Sequence, residues 1–154
     1  MLSQGGRLIT AVGAVVVDVG ARCLLVQRRR APLAGRWTLP GGRVEPEEAL
    51  EAAVVREIRE ETSVLTRVVA ALDVVTLRGE GFGYAIHEYL LQPVHGDAVP
   101  CAGDDAVDAR WATAAEAESL GVGPEALAVI QKGIAEAIAR GLLPAAASGQ
   151  RALR

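Results

Sequence analysis

Residues 42–64 read Gly42-Arg43-Val44-Glu45-Pro46-Glu47-Glu48-Ala49-Leu50-Glu51-Ala52-Ala53-Val54-Val55-Arg56-Glu57-Ile58-Arg59-Glu60-Glu61-Thr62-Ser63-Val64. From Pro46 to Thr62 the pattern predicts a helix with proline in its first turn. On a wheel of about 100° per residue, Leu50, Ala53, Val54 and Ile58 form one apolar stripe that should face the core. Glu57 and Glu61 fall inside that stripe, about 20° to either side of Leu50 and one turn apart. Glu60 lies at its margin. Glu48 and Arg59 fall on the opposite side, where charge is expected. Burying one unpaired carboxylate is costly, and two at i and i+4 also repel each other. A divalent cation resolves both problems. Hard ions such as Mg²⁺ and Mn²⁺ take carboxylate oxygens, keep several waters and bind substrate phosphates on their open positions. A solvated acidic helix is the plain alternative, and the phase of the acids against the apolar stripe weighs against it. Leu39-Pro40-Gly41-Gly42, just before, lets backbone approach a ligand closely, because glycine has no side chain to obstruct it.

The same segment dominates the charge distribution. Residues 45–61 carry seven acids and two bases, a local net of −5, while the whole chain carries −3, so the remainder sums to +2. A net of −3 argues against a general nucleic-acid coat protein. The chain has 154 residues, 51% of them hydrophobic and 23% charged, which excludes a disordered or collagen-like polymer. That length suits one domain burying roughly two-thirds of its unfolded surface. The aromatics are Trp37, Trp111, Phe82, Tyr84 and Tyr89, so aliphatic residues and alanine must build the core. Cys23 and Cys101 lack metal-ligand spacing and read as reduced thiols of a cytoplasmic protein. The longest apolar runs, Ala11 to Val17 and Val68 to Val75, are strand-sized, which gives no expectation of a membrane span. Gly5-Gly6-Arg7 follows too soon after Met1 for a signal-peptide pattern.

Elsewhere the chain is β-rich. Arg7 to Asp18 and Arg22 to Gln27 read as strands joined at Val19-Gly20-Ala21. Arg28-Arg29-Arg30 opens a loop containing Pro32 and Gly35. Val64 to Leu77 and Phe82 to Val94 read as a second strand pair, and Ala109 to Ala112 as a short strand. Pro124 to Arg140 predicts an amphipathic helix, with Leu127, Ile130, Ile134 and Ile138 on one face and Gly141 as its stop. Mixed strands and helices without regular alternation predict an α/β (α+β) domain in layers.

Loop and helix together resemble the signature of the Nudix hydrolases, G-x5-E-x7-R-E-U-x-E-E-x-G-U, where U is bulky and aliphatic. Eight of nine fixed positions match: Gly42, Glu48, Arg56, Glu57, Ile58, Glu60, Glu61 and Val64. The ninth is Ser63, where the pattern has glycine. A residue there should end the helix in a left-handed conformation, at a cost of about 1 kcal/mol for serine. Val26-Gln27-Arg28, Gly35 to Gly42 and Ala109-Arg110-Trp111 are similar to the family as well. The resemblance implies a Nudix fold, an α/β/α sandwich with a mixed central β-sheet over residues 1–143, followed by a tail over 144–154. It implies Mg²⁺- or Mn²⁺-dependent cleavage of a pyrophosphate bond in a small nucleotide substrate. In that reading Glu57, Glu60 and Glu61 hold the metal with the Gly41 carbonyl, Arg56 orients a carboxylate and Glu48 orders the loop. The resemblance also allows a homodimer.

The general base is left open between a motif glutamate and Asp105, in Gly103-Asp104-Asp105. Those aspartates are read equally well as turn formers. Arg28 is a candidate for phosphate, and Trp37, Phe82 and Tyr84 for stacking a base. The run Cys101 to Ala106 followed by Asp108 to Trp111 is similar to Nudix members that split ADP-ribose into AMP and ribose 5-phosphate. The expected His-Tyr of those members is Gly83-Tyr84 here. A nucleoside triphosphate pyrophosphohydrolase, acting on normal or oxidised nucleotides, is the alternative. A non-catalytic nucleotide sensor is the minor one.

Overall fold

The computed structural model describes residues 7–31, 33–79, 81–103 and 105–145. Within them run strands β1 (Ile9–Val16), β2 (Cys23–Arg28), β3 (Trp37–Thr38) and β4 (Gly41–Arg43), helix α1 (Leu50–Thr62), strands β5 (Thr66–Gly79), β6 (Phe82–Pro93) and β7 (Ala106–Ala112), and helices α2 (Ala114–Ser119) and α3 (Pro124–Ala139). The expected mixed sheet is present, in the order β4-β1-β6-β5, with β1 and β6 parallel and the other pairs antiparallel. The remaining strands form a separate antiparallel sheet, β3-β2-β7. Of the tail expected over 144–154, only residues 144 and 145 are described. Among the described residues, no helix is long and apolar enough to cross a membrane. Both cysteines are free, and burial pushes the Cys23 thiol up to about 12.

Alternation along β1 sorts the core into two layers. Val12, Ala14 and Val16 pack with Ala53, Val54 and Ile58 of α1 and with Tyr89 and Leu91 of β6. Val15 and Val17 pack on the other face with Leu90 and with Val129, Ile130, Ile134 and Ala137 of α3. Gly133 of α3 lies so close to Val15 that a side chain there would collide with it. The mixed sheet thus carries α1 on one face and α3 on the other.

Two local expectations are corrected, and one helix is added. Pro46 does not start α1: Pro46 and Glu47 form a turn, closed by the Glu48 N–H donating to the Glu45 carbonyl at 3.0 Å, with Glu47 at φ 65°. Proline suits the first corner of such a turn as well as it suits a helix start. The loop between β2 and α1 contains the two short strands β3 and β4, which extended pairing creates and local sequence does not announce. Helix α2 starts at a capping box, Thr113-Ala114-Ala115-Glu116, in which both reciprocal hydrogen bonds form.

Candidate active site

The site is built where β4 meets α1. Strand β4 pairs with β1 through Ala11–Arg43, Val12–Gly42 and Gly13–Gly41. The face of α1 that carries Val54 and Ile58 into the core carries Glu57 and Glu61 against this strand. The Gly41 N–H donates to Glu61 Oε1 at 2.8 Å. A side chain at Gly42 would overlap the Glu57 carboxyl, and one at Gly41 would overlap the Val12 carbonyl. Backbone crowding therefore demands glycine at 41, while a side chain at 42 would require the Glu57 carboxyl to shift.

Arg56 ties the surrounding acids together. Its Nε and Nη2 donate to Glu48 Oε2 and Oε1 at 2.6 and 2.8 Å, a two-pronged pairing that spans the turn before the helix. Its Nη1 donates to Glu57 Oε2 at 3.0 Å and to Glu60 Oε1 at 3.1 Å, and Nη2 also reaches the Arg43 carbonyl at 3.2 Å. The guanidinium holds the Glu48 carboxyl down at about 2. Burial raises Glu57 above the usual carboxylate range, against the pull of Arg56. Burial also pushes Glu61 up to about 7, despite the Gly41 N–H, with the nearby charges of Glu57 and Asp105 adding to the rise. Glu60 differs from these two: its side chain is 59% exposed, against 17% for Glu57.

The C-terminal end of α1 organises a second loop. Ser63 ends the helix at φ 66°, ψ 10°, in the left-handed conformation where the signature has glycine. The Cys101 and Gly103 N–H groups donate to the carbonyls of Thr62 and Glu61, each at 2.8 Å, so residues 101–103 satisfy carbonyls the helix leaves open. A side chain at Gly103 would overlap the Glu60 carbonyl. This docking brings Asp105 close enough for its charge to act on Glu57 and Glu61. Asp105 also pairs with Arg30 at 2.6 Å and is exposed. Asp104 lies outside the described residues.

Gly41, Gly42, Glu48, Arg56, Glu57, Glu60 and Glu61 are thus brought together around the helix, with Asp105 at its end. Arg28 ends β2 near enough for its charge to lower Glu61. Ile58 and Val64 are buried and hold α1 in place. Trp37 sits on β3 and packs into the α3-side core. Phe82 and Tyr84 meet each other on β6, with ring centres 5.8 Å apart, and Arg43 lies over the Tyr84 ring. One buried carboxyl was missed. Glu88 is 7% exposed on β6, opposite Gly13 of β1. The signal was available: Ile86, Glu88 and Leu90 alternate along a strand, which puts an acid in an apolar row.

Among the described residues, no three His, Cys, Asp or Glu side chains stand at metal-binding spacing. Two carboxyls close together, buried enough to be raised, fit a hard cation that completes its shell with water and phosphate oxygens. Glu57 and Glu61 each keep one carboxyl oxygen not engaged by Arg56 or Gly41 in the hydrogen bonds above.

Comparison with known proteins agrees with this geometry. The NUDIX domain family model matches residues 7–133. An ADP-ribose pyrophosphatase of Methanocaldococcus jannaschii is 36% identical over 97 residues, covering 62% of this chain and 57% of that protein. A putative 8-oxo-dGTP diphosphatase of Bacillus subtilis is 47% identical over 62 residues, covering 40% of this chain and 36% of that one. The chain therefore spans about half or less of the length of these curated relatives. Among solved structures, a MutT NUDIX hydrolase from Burkholderia pseudomallei superposes with TM-score 0.68 at 26% identity, covering 82% of this chain and 98% of that one. The NUDIX domain of Shewanella oneidensis NrtR, complexed with ADP ribose, superposes with TM-score 0.74 at 22% identity, over 88% and 92%, which speaks to fold. With the family model matched over most of the chain and the signature helix docked on its glycine strand, the protein belongs to the NUDIX domain family.

Proposed function

We propose that this protein is a divalent-metal-dependent hydrolase that cleaves the pyrophosphate bond of a nucleoside diphosphate linked to a second group, with ADP-ribose as the substrate. The carrying observation is the Glu57–Glu61 pair, held in the core-facing stripe of α1 against the side-chain-free strand Gly41–Gly42. Glu57 and Glu61 hold Mg²⁺ or Mn²⁺, with Glu60 and the Gly41 carbonyl completing the protein's share. When bound, the ion neutralises charge on the diphosphate and makes a coordinated water a stronger nucleophile. Attack of water on one phosphorus forms a new P–O bond and breaks the bridging P–O bond. The water's proton passes to a carboxylate, for which Asp105 and the motif glutamates compete. Arg56 is a positioning residue: it fixes Glu57 and Glu60 while anchoring the loop through Glu48. Arg28 supplies positive charge for a phosphate, and Trp37, Phe82 and Tyr84 supply aromatic faces for the nucleoside.

The 36% identity to an ADP-ribose pyrophosphatase supports this substrate. A second reading, hydrolysis of a normal or oxidised nucleoside triphosphate, is favoured by the higher identity to the Bacillus subtilis relative over a shorter stretch. A phosphate-release panel separates them. Purified protein with Mg²⁺ or Mn²⁺ and a coupled phosphatase is given ADP-ribose, NADH, dinucleoside polyphosphates, and normal and 8-oxo triphosphates. Preference for ADP-ribose is the expected result. Preference for triphosphates replaces the substrate and keeps the chemistry. Tight binding of one compound with no turnover of any makes the protein a sensor.

A further inference from the structure

Among the described residues, two buried side-chain polar atoms have no hydrogen-bond partner: Thr66 Oγ1 and Glu88 Oε1. A buried carboxyl left this way is costly unless something else donates to it. Glu88 stands opposite Gly13 in the parallel β1–β6 pair, and a side chain at Gly13 would overlap its carboxyl. The two positions are fitted to each other, glycine making the room that the carboxyl fills.

Its location narrows what the donor is. Along its face of β6, Glu88 lies between Leu90, buried in the α3-side core, and Ile86, which is half-buried. Val15, which pairs with Leu90, is where α3 presses on the sheet. Glu88 therefore sits at the border where the helix cover ends. Beyond it the same face continues to Tyr84, also half-buried, with the Arg43 guanidinium 5.9 Å above its ring. Across the strands, the row Glu88–Gly13–Gly41 leads to the residue whose N–H holds Glu61. Two strand spacings make that separation about 10 Å. The edge strand between the two features is Gly41–Gly42, which puts no side chain in the way.

We infer that Glu88 determines specificity by accepting hydrogen bonds from two adjacent donors on the nucleoside of a nucleotide bound at the Glu57–Glu61 site. This deepens the reading of that site under Proposed function and rests on it. A carboxylate has two oxygens side by side and suits paired donors, while rotation about its last bond is soft enough to present either oxygen. A nucleoside offers such a pair at the ribose 2′,3′-diol or at the N1–H and amino edge of a guanine. The Tyr84 ring, carrying Arg43, gives the nucleoside a face to stack on.

The test is isothermal titration of the full chain in Mg²⁺, wild type and Glu88→Gln, with AMP, dAMP, GMP, dGMP and IMP. The variant keeps the side chain's shape and replaces one acceptor by a donor. If the diol is read, wild type binds AMP and GMP more tightly than their deoxy forms, and the variant erases that difference. If the guanine edge is read, GMP and dGMP exceed IMP, and the variant erases that instead. Either way the preferred ligand should lose about tenfold or more in affinity. Wild type that does not discriminate among the five, or a variant with unchanged ratios, overturns the inference. Should Glu88→Gln fail to fold, Glu88→Asp retracts the carboxyl by one carbon and must change the same ratio. Unchanged ratios in that variant overturn the inference as well. Because the monophosphates have no pyrophosphate bond to cleave, this readout needs no turnover, and failure of the hydrolase reading appears separately, as an inactive panel.

Discussion

Gly42 and Gly13 lie on neighbouring strands of one sheet, and at each a glutamate carboxyl occupies the space a side chain would take. On the α1 face Glu57 fills the space at Gly42. On the α3 face Glu88 fills the space at Gly13. The two surroundings differ in what meets the charge. Around Glu57 stand Arg56, donating at 3.0 Å, and Glu61, itself held by a backbone N–H. Among the described residues, no donor bonds Glu88 Oε1. Burial alone pushes Glu88 up to about 7. The same sheet thus carries a carboxyl cluster held by Arg56 and a backbone N–H, in which burial still raises Glu57 and Glu61, and a lone carboxyl raised by burial alone. We propose the first as the place that binds metal and phosphate and the second as the place that reads what is attached to them.

The largest effect should come from removing charge on the α1 face. Glu57→Gln and Glu61→Gln should each reduce Mg²⁺-dependent turnover by about 10³-fold. Circular dichroism and thermal melts should show both variants folded. Near-normal turnover in either would break the comparison by removing the metal site from one side of it.

On the other face the expected effect is on stability against pH. The folded state keeps the Glu88 proton up to about pH 7, while the unfolded chain releases it above its ordinary value of 4.5. Stability is therefore unaffected by this group below pH 4.5 and is lost as pH rises from 4.5 to 7, by about 3 kcal/mol in all. Glu88→Gln should remove that loss, so its melting temperature should gain on wild type from pH 5 to pH 8. Equal pH profiles for the two proteins would mean that a donor reaches Glu88 in solution.

Arg56→Ala should lower turnover by about 10²-fold, because Glu57 and Glu60 lose their common anchor. It should also lower the urea midpoint, because the turn at Glu48 loses its partner. The Glu48 carboxyl, held at about 2 by Arg56, should then titrate near the ordinary carboxylate value. Asp105→Asn should cost about tenfold in turnover. A loss as large as that of Glu57→Gln would make Asp105 the general base. Smallest of all, Ser63→Gly relieves a left-handed serine and should raise stability by about 1 kcal/mol with turnover unchanged, read from urea unfolding and the same assay.

Much of this was legible in the chain because helical phase is local. The spacing of Leu50, Val54 and Ile58 put Glu57 and Glu61 on the core-facing stripe, and that is where they lie. The left-handed end at Ser63 followed from its place after the last helical turn. The capping box of α2 and the alternation that exposes Glu88 were also in the sequence, but a six-residue helix and one acid in a strand give weak periodic signals. Pro46 lies in a turn and not in α1, because proline serves a turn and a helix start through the same fixed φ and local sequence does not separate them.

What only tertiary structure decided are the contacts between distant residues. Glu48 lies eight residues from Arg56, Cys101 and Gly103 dock on carbonyls some forty residues earlier, and Glu88 finds its space at Gly13. Spacing within one helix fixes the direction of its side chains, since each residue turns by a set angle. The partner of a strand or loop is instead chosen by how the whole core packs, which local sequence does not contain. The sequence by itself determined the acid stripe on the helix and its glycine approach. The fold decided that an opposite glycine would shelter a second, lone carboxyl on the same sheet.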